Sequence, residues 1–200
     1  MPRDAAAIDS RSRRAHDPEV TLFDTIGGIP LHPLIVHAVV VLVPLASLLL
    51  LLAAVSPRIR HWAGILPPIT ATLALVMVPL ATQSGESLER RVEASPALEE
   101  HTELGDSLLY FVIVLAILAW ALWFLDRRAQ AAVTTGADAS DAAHGTGTAA
   151  RSPLLTVVIV LSVISVLATT VQVVRIGHSG ASASWSDVGA KTVPAGGGDD

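Results

Sequence analysis

The chain has 200 residues, 52% of them hydrophobic and 16% charged, and a net charge of -5. A soluble domain carries about a quarter charged residues, so this composition points to a membrane. The acidic balance leaves no basic stripe for phosphates, which excludes nucleic acid as a partner; the absence of cysteine excludes disulfides, thiolate metal sites, cysteine-held iron–sulfur clusters and covalently attached haem.

Residues 1–25 read as a solvated, disordered arm rich in Arg, Asp, Ala and Ser. No short apolar core with a small-residue cleavage site follows Arg3, Arg11, Arg13 and Arg14, so an uncleaved entry into the first span is expected. Gly27 to Pro30 is a break. The first span then runs over about 34–55, enough to cross a hydrocarbon core of roughly 30 Å. Pro33 suits a first helical turn. It also disfavours α geometry at His32, which is expected to be a cap or loop residue, with His37 about one turn inside the helix. Ser56 to His61 reads as a short turn.

The second span covers about 62–82, where Pro67, Pro68 and Pro79 are expected to kink the helix or displace its ends. The acidic connection from Gln83 to Asp106 carries Glu86, Glu89, Glu93, Glu99, Glu100, Glu103 and Asp106, and its halves should extend the flanking helices past the bilayer. A third span over 107–125, a flexible linker of Ala, Gly, Thr and Asp over 129–152, and a fourth span over 154–174 follow. The Gly-, Ser- and Ala-rich tail from Gly177 reads as mostly disordered. No repeat stands out, although the two hairpins are of similar size. The expectation is an all-α integral membrane four-helix up-down bundle over 26–188, between the arm and a disordered tail at 189–200.

Arg58, Arg60, Arg127, Arg128 and Arg151 flank the first and third connections, whereas Arg90 and Arg91 opposite them sit in an acidic run. The positive-inside rule then places both termini outside the cytoplasm. Trp62, Trp120 and Trp123 would form a belt on the cytoplasmic side, with Tyr110 near the other interface.

Antiparallel threading brings the starts of spans one and three beside the ends of spans two and four. His32, His37, Gln83, Glu86, His101, Asp106 and His178 then gather at one end. An ionisable residue within a span is expensive and marks a functional candidate, and His37 lies deepest. Imidazole suits haem iron, zinc and copper, and it can relay protons. His37 and His101 could ligate a haem b from two helices, with His32 and His178 as supporting donors or alternates. Imidazoles joined by Glu86 or Asp106 could instead hold a divalent metal. The plainer alternative is that each histidine caps a helix or bonds at the interface. Gly105, four residues after His101, would admit a flat ligand or another backbone. In the fourth span Ser162, Ser165, Thr169 and Gln172 share a face, either as glue between helices or as a polar path.

The segment Gly28-Ile29-Pro30-Leu31-His32-Pro33-Leu34-Ile35-Val36-His37 resembles the entry motif of the domain of unknown function 2231 family, bacterial membrane proteins with about four spans. Ser84-Gly85-Glu86, the His101 to Gly105 interval and Gly177-His178-Ser179-Gly180 match further segments, so the resemblance extends over roughly 26–188. It implies no established activity. Some members are joined to Rieske-type or cytochrome domains, which tilts the expectation toward electron transfer.

Three functions are therefore carried forward. The first is a histidine-held haem b or metal ion serving a membrane redox partner. The second is a transport or proton-coupled component, which would need a homo-oligomer. The third is an accessory subunit without chemistry, set among membrane lipid and partner helices.

Overall fold

The structure, a computed structural model, describes residues 25–26, 29–90, 94–134 and 153–190. The arm expected before Thr25, most of the expected linker and the end of the expected tail lie outside the described residues. A two-residue antiparallel ladder, β1 (Thr25–Ile26) with β2 (Ile29–Pro30), leads directly into the first helix. The rest is helical: α1 (Leu31–Val55), α2 (Pro57–Ala63), α3 (Leu66–Glu89), α4 (Pro96–Thr134) and α5 (Pro153–Ala190). Four of these, α1, α3, α4 and α5, are long and apolar enough to cross a membrane.

Each span packs on its neighbours in chain order, and α5 closes the ring against α1, while α1 and α4 touch little across the diagonal. This is an up-down four-helix arrangement. Two buried apolar layers fill the middle. One is built on Ala46, Leu50, Ala71, Leu115, Ala119 and Leu122. The other, nearer the starts of α1 and α4, is built on Val39, Val43, Ala74, Val78, Leu108 and Val112. Alanine at contact positions lets the helix backbones approach closely, which is how helices associate where lipid gives no hydrophobic drive.

The polarity of α5 is inverted relative to a water-soluble helix. Ser162, Ser165, Thr169 and Gln172 are buried, while Leu161, Ile164, Leu167, Val171 and Val174 face outward. In water that outer face would be a large unpartnered apolar surface. In lipid it is the preferred one, and the hydroxyls are satisfied inside: Ser162 donates to the Val158 carbonyl and Thr169 to the Ser165 carbonyl.

Several boundaries differ from the sequence-based expectation. His32 is not a cap or loop residue; it lies in the first turn of α1, which starts at Leu31. There Pro33 lacks only an N–H that has no intrahelical partner anyway. Trp62 belongs to the short helix α2 rather than to the second span. Ser56 caps α2, and Gly64 at φ 55° turns the chain into α3. Pro67 and Pro68 open the first turn of α3, whose start is displaced from residue 62 to Leu66 as one of the two expectations had it, and Pro79 lies inside it. The acidic connection does extend its flanking helices, to Glu89 and from Pro96. The region after Gly177, expected to be disordered, continues α5 to Ala190. A 39-residue helix such as α4 spans about 58 Å, so it must project well beyond the hydrocarbon.

Candidate functional site

The first turn of α1 carries His32 against the last turns of α3. Its Nδ1 lies 3.0 Å from Ser84 Oγ. The Ser84 hydroxyl in turn donates to the Ala81 carbonyl at 3.0 Å. Ser84 and the Ala81 backbone together form the polar seat of the His32 ring. The residue after the serine is Gly85, and a Cβ there would lie 3.1 Å from His32 Cε1. Glycine thus leaves the room in which the ring rests on the helix backbone.

The second hairpin repeats this arrangement. Near the start of α4, His101 Nδ1 lies 3.1 Å from Ser179 Oγ on α5. Ser179 Oγ also lies 3.0 Å from the Ile176 carbonyl, to which its hydroxyl can donate. A Cβ on Gly180 would lie 2.9 Å from His101 Cε1, closer than the ring allows. Each hairpin therefore seats one half-buried histidine from its first helix on a Ser-Gly pair near the end of its second. The two imidazoles lie within electrostatic reach of each other.

Below the second seat, buried Gln172 ties α5 to α4 by donating to the Leu104 carbonyl at 3.0 Å and to Ser107 Oγ at 2.7 Å. Gly105 has open space where a Cβ would be, one turn into α4 on the face of His101.

The other sequence candidates are not part of these seats. His37 is exposed, and its Nδ1 donates to the Pro33 carbonyl at 2.6 Å. Five residues after His32 it is rotated by about 140° around the helix, so the two cannot share a face. His178 is exposed on the helix side flanking Ser179, and Glu86, Asp106 and Gln83 are exposed as well. Among the described residues no group of three or more His, Asp or Glu side chains is placed to hold a metal ion. His16 and His144 lie outside the described residues, and His61 belongs to the opposite end.

Ser84 and Ser179 entered the sequence reading only as members of the motif segments, with no role given to either. Their signal was present as Ser-Gly-x-Ser, at 84–87 and again at 179–182. The histidine–serine separations of 52 and 78 residues hide the correspondence, because the second hairpin carries the long linker.

No curated protein and no solved structure matches the chain. A family described as predicted membrane protein (DUF2231) matches residues 28–192, from the glycine before β2 to beyond the end of α5. The match covers both histidine seats, and the chain belongs to the DUF2231 family.

Proposed function

We propose that this protein is a multi-pass component of the cell membrane that carries a histidine-held cofactor, a b-type haem or a metal ion, for electron transfer with a membrane partner. The reading is supported by one observation: His32 and His101 each set Nδ1 within hydrogen-bond distance of a serine hydroxyl, Ser84 at 3.0 Å and Ser179 at 3.1 Å. A hydrogen bond at the far nitrogen is the usual companion of a ligating imidazole, because it fixes the tautomer and the ring orientation. The bound group would supply one-electron chemistry. The chain itself holds it at a defined depth and excludes lipid from it.

Arg58, Arg60, Arg127 and Arg128 at the opposite end favour a cytoplasmic location for that end. The histidine seats and both termini then belong to the outer face. The test is to purify the protein in mild detergent after expression with haem and metals supplied. A reduced-minus-oxidised spectrum or a stoichiometric metal, weakened in His32→Ala and in His101→Ala, is expected. A blank spectrum together with no bound metal contradicts the proposal.

A second reading, a proton-coupled path through the bundle, has one observation in its favour. Ser47, 4% exposed, has a hydroxyl without a hydrogen-bond partner, in a bundle whose fourth span buries a polar stripe. Proton flux in liposomes that falls in Ser47→Ala would support it, and unchanged flux would oppose it.

A further inference from the structure

At the end of the bundle away from the histidine seats, we infer that α2 and the end of α4 hold the headgroup of an anionic phospholipid through Arg58, Arg127 and Arg128. This surface does not depend on the histidine-cofactor reading.

Charge is the first observation. Among the described residues this end carries Arg58, Arg60, Arg127 and Arg128 against a single carboxylate, Asp126. Residues 135–152 add Asp138, Asp141 and Arg151 to the connection between α4 and α5, and the sequence charge of this end stays positive. Asp126 is already engaged: it faces Arg60 at 3.7 Å and His61 at 4.0 Å, and it accepts from Gln130. Arg58, Arg127 and Arg128 pair with no carboxylate among the described residues. The opposite end has the reverse sign, with Glu99, Glu100, Glu103 and Asp106 on α4 alone. A field divided in this way along the bundle draws an anion to one end only.

The second observation is how the arginines are placed. His61 Nδ1 lies 3.1 Å from Gln130 Nε2, and with the Arg60–Asp126 pair this contact holds α2 against the end of α4. Arg58 and Trp62, four residues apart on α2, share a helix face. On α4 the Arg127 guanidinium lies 5.3 Å from the Trp123 ring centroid, and the Arg128 guanidinium lies 4.2 Å from that of Phe124. A guanidinium held over a ring keeps N–H donors for a phosphate, which it can meet with two parallel bonds.

The third is depth, and it selects a lipid over a free anion. Val55, Ile65 and Leu66 flank α2 and are exposed, as is Trp62 at 80%. Indole rings settle at the headgroup level of a bilayer. A phosphate bound by the arginines therefore sits beside outward apolar surface that acyl chains can cover. Inorganic phosphate would gain nothing from that surface.

The experiment uses the full chain in bilayers and compares quenching of its tryptophan fluorescence by brominated phosphatidylglycerol and by brominated phosphatidylcholine. Trp185→Phe, at an exposed position beyond the histidine seats, leaves Trp62, Trp120 and Trp123 at the arginine end as reporters. The expected result is a preference of about tenfold for the anionic lipid, falling toward unity when Arg58→Gln, Arg127→Gln and Arg128→Gln are combined. Each single variant, at an exposed position, should lose part of the preference, which keeps the comparison available if the triple variant does not fold. Arg175→Gln, an exposed cation at the other end, should leave it unchanged, and so should excess inorganic phosphate. Equal quenching by the two lipids in the native chain overturns the inference and leaves the arginines to an acidic protein surface. An undiminished preference in the folded arginine variants, an equal loss in Arg175→Gln, or displacement by inorganic phosphate also overturns it.

Discussion

The two ends of the bundle both bury a nitrogen-rich side chain between helices, and they handle it in opposite ways. At one end Arg60, 7% exposed, bonds the Ala53 carbonyl through Nε at 2.7 Å and the Ala54 carbonyl through Nη2 at 3.0 Å, and it faces Asp126 at 3.7 Å. Those carbonyls belong to the last turn of α1, where no intrahelical donor remains to meet them. Arg60 is therefore a cap and a brace, reinforced by the ion pair across to α4. At the other end each seated imidazole is only half-buried and meets a serine through Nδ1, at 3.0 and 3.1 Å. Buried polar groups whose bonding capacity is consumed by the protein stabilise the fold. Those with capacity left over at a defined position are where chemistry can be placed.

Substitutions at the two ends should separate these roles. The largest expected effect is on stability. Arg60→Ala leaves two carbonyls and the Asp126 carboxylate without their partner and should cost about 2–4 kcal/mol in detergent unfolding. Any cofactor spectrum of the surviving folded fraction should be unchanged. Next, His32→Ala or His101→Ala should weaken cofactor retention by about 100-fold, equivalent to about 2.8 kcal/mol, with little change in unfolding. Equilibrium titration of each variant measures the loss.

Smaller effects belong to the glycines. Gly180→Ala places a methyl group where the His101 ring rests, so the ring must leave Ser179; cofactor affinity should fall about tenfold. Gly85→Ala meets His32 at a slightly longer distance and should give a weaker loss of the same kind. The smallest effects are expected at His37 and His178. Replacing either exposed histidine by alanine should shift stability by less than about 0.5 kcal/mol and leave cofactor titration unaltered. A large loss at His37 would break the distinction between seated and exposed histidines.

Most of the architecture was legible in the sequence, because a bilayer imposes a length and a composition that four segments of this chain satisfy. The helix ends were less so. Gly177 and Gly180 read as tail by composition, yet α5 continues through both, and Gly180 lies against the ring of His101. The convergence of His32 and His101 on one end followed from antiparallel threading. Their partners did not, since a serine near a span's end looks like any helix-capping or interface residue. Depth along the chain also misled: His37 lies deeper than His32, but helical rotation turns it to the outside. Angular position around the helix, rather than depth, decides which histidine meets the neighbouring span.

The central claim is that both hairpins present their histidine seats at one membrane face, with the Arg60–Asp126 brace at the other. The native chain has no cysteine, so single thiols report position without background. Glu86→Cys and His178→Cys, at exposed positions beside the two seats, and Trp62→Cys and Arg128→Cys, at exposed positions near the brace, can be labelled in sealed vesicles with an impermeant maleimide. The account predicts that the first pair reacts from one side and the second pair only from the other. Labelling of positions 86 and 178 from opposite sides would contradict it.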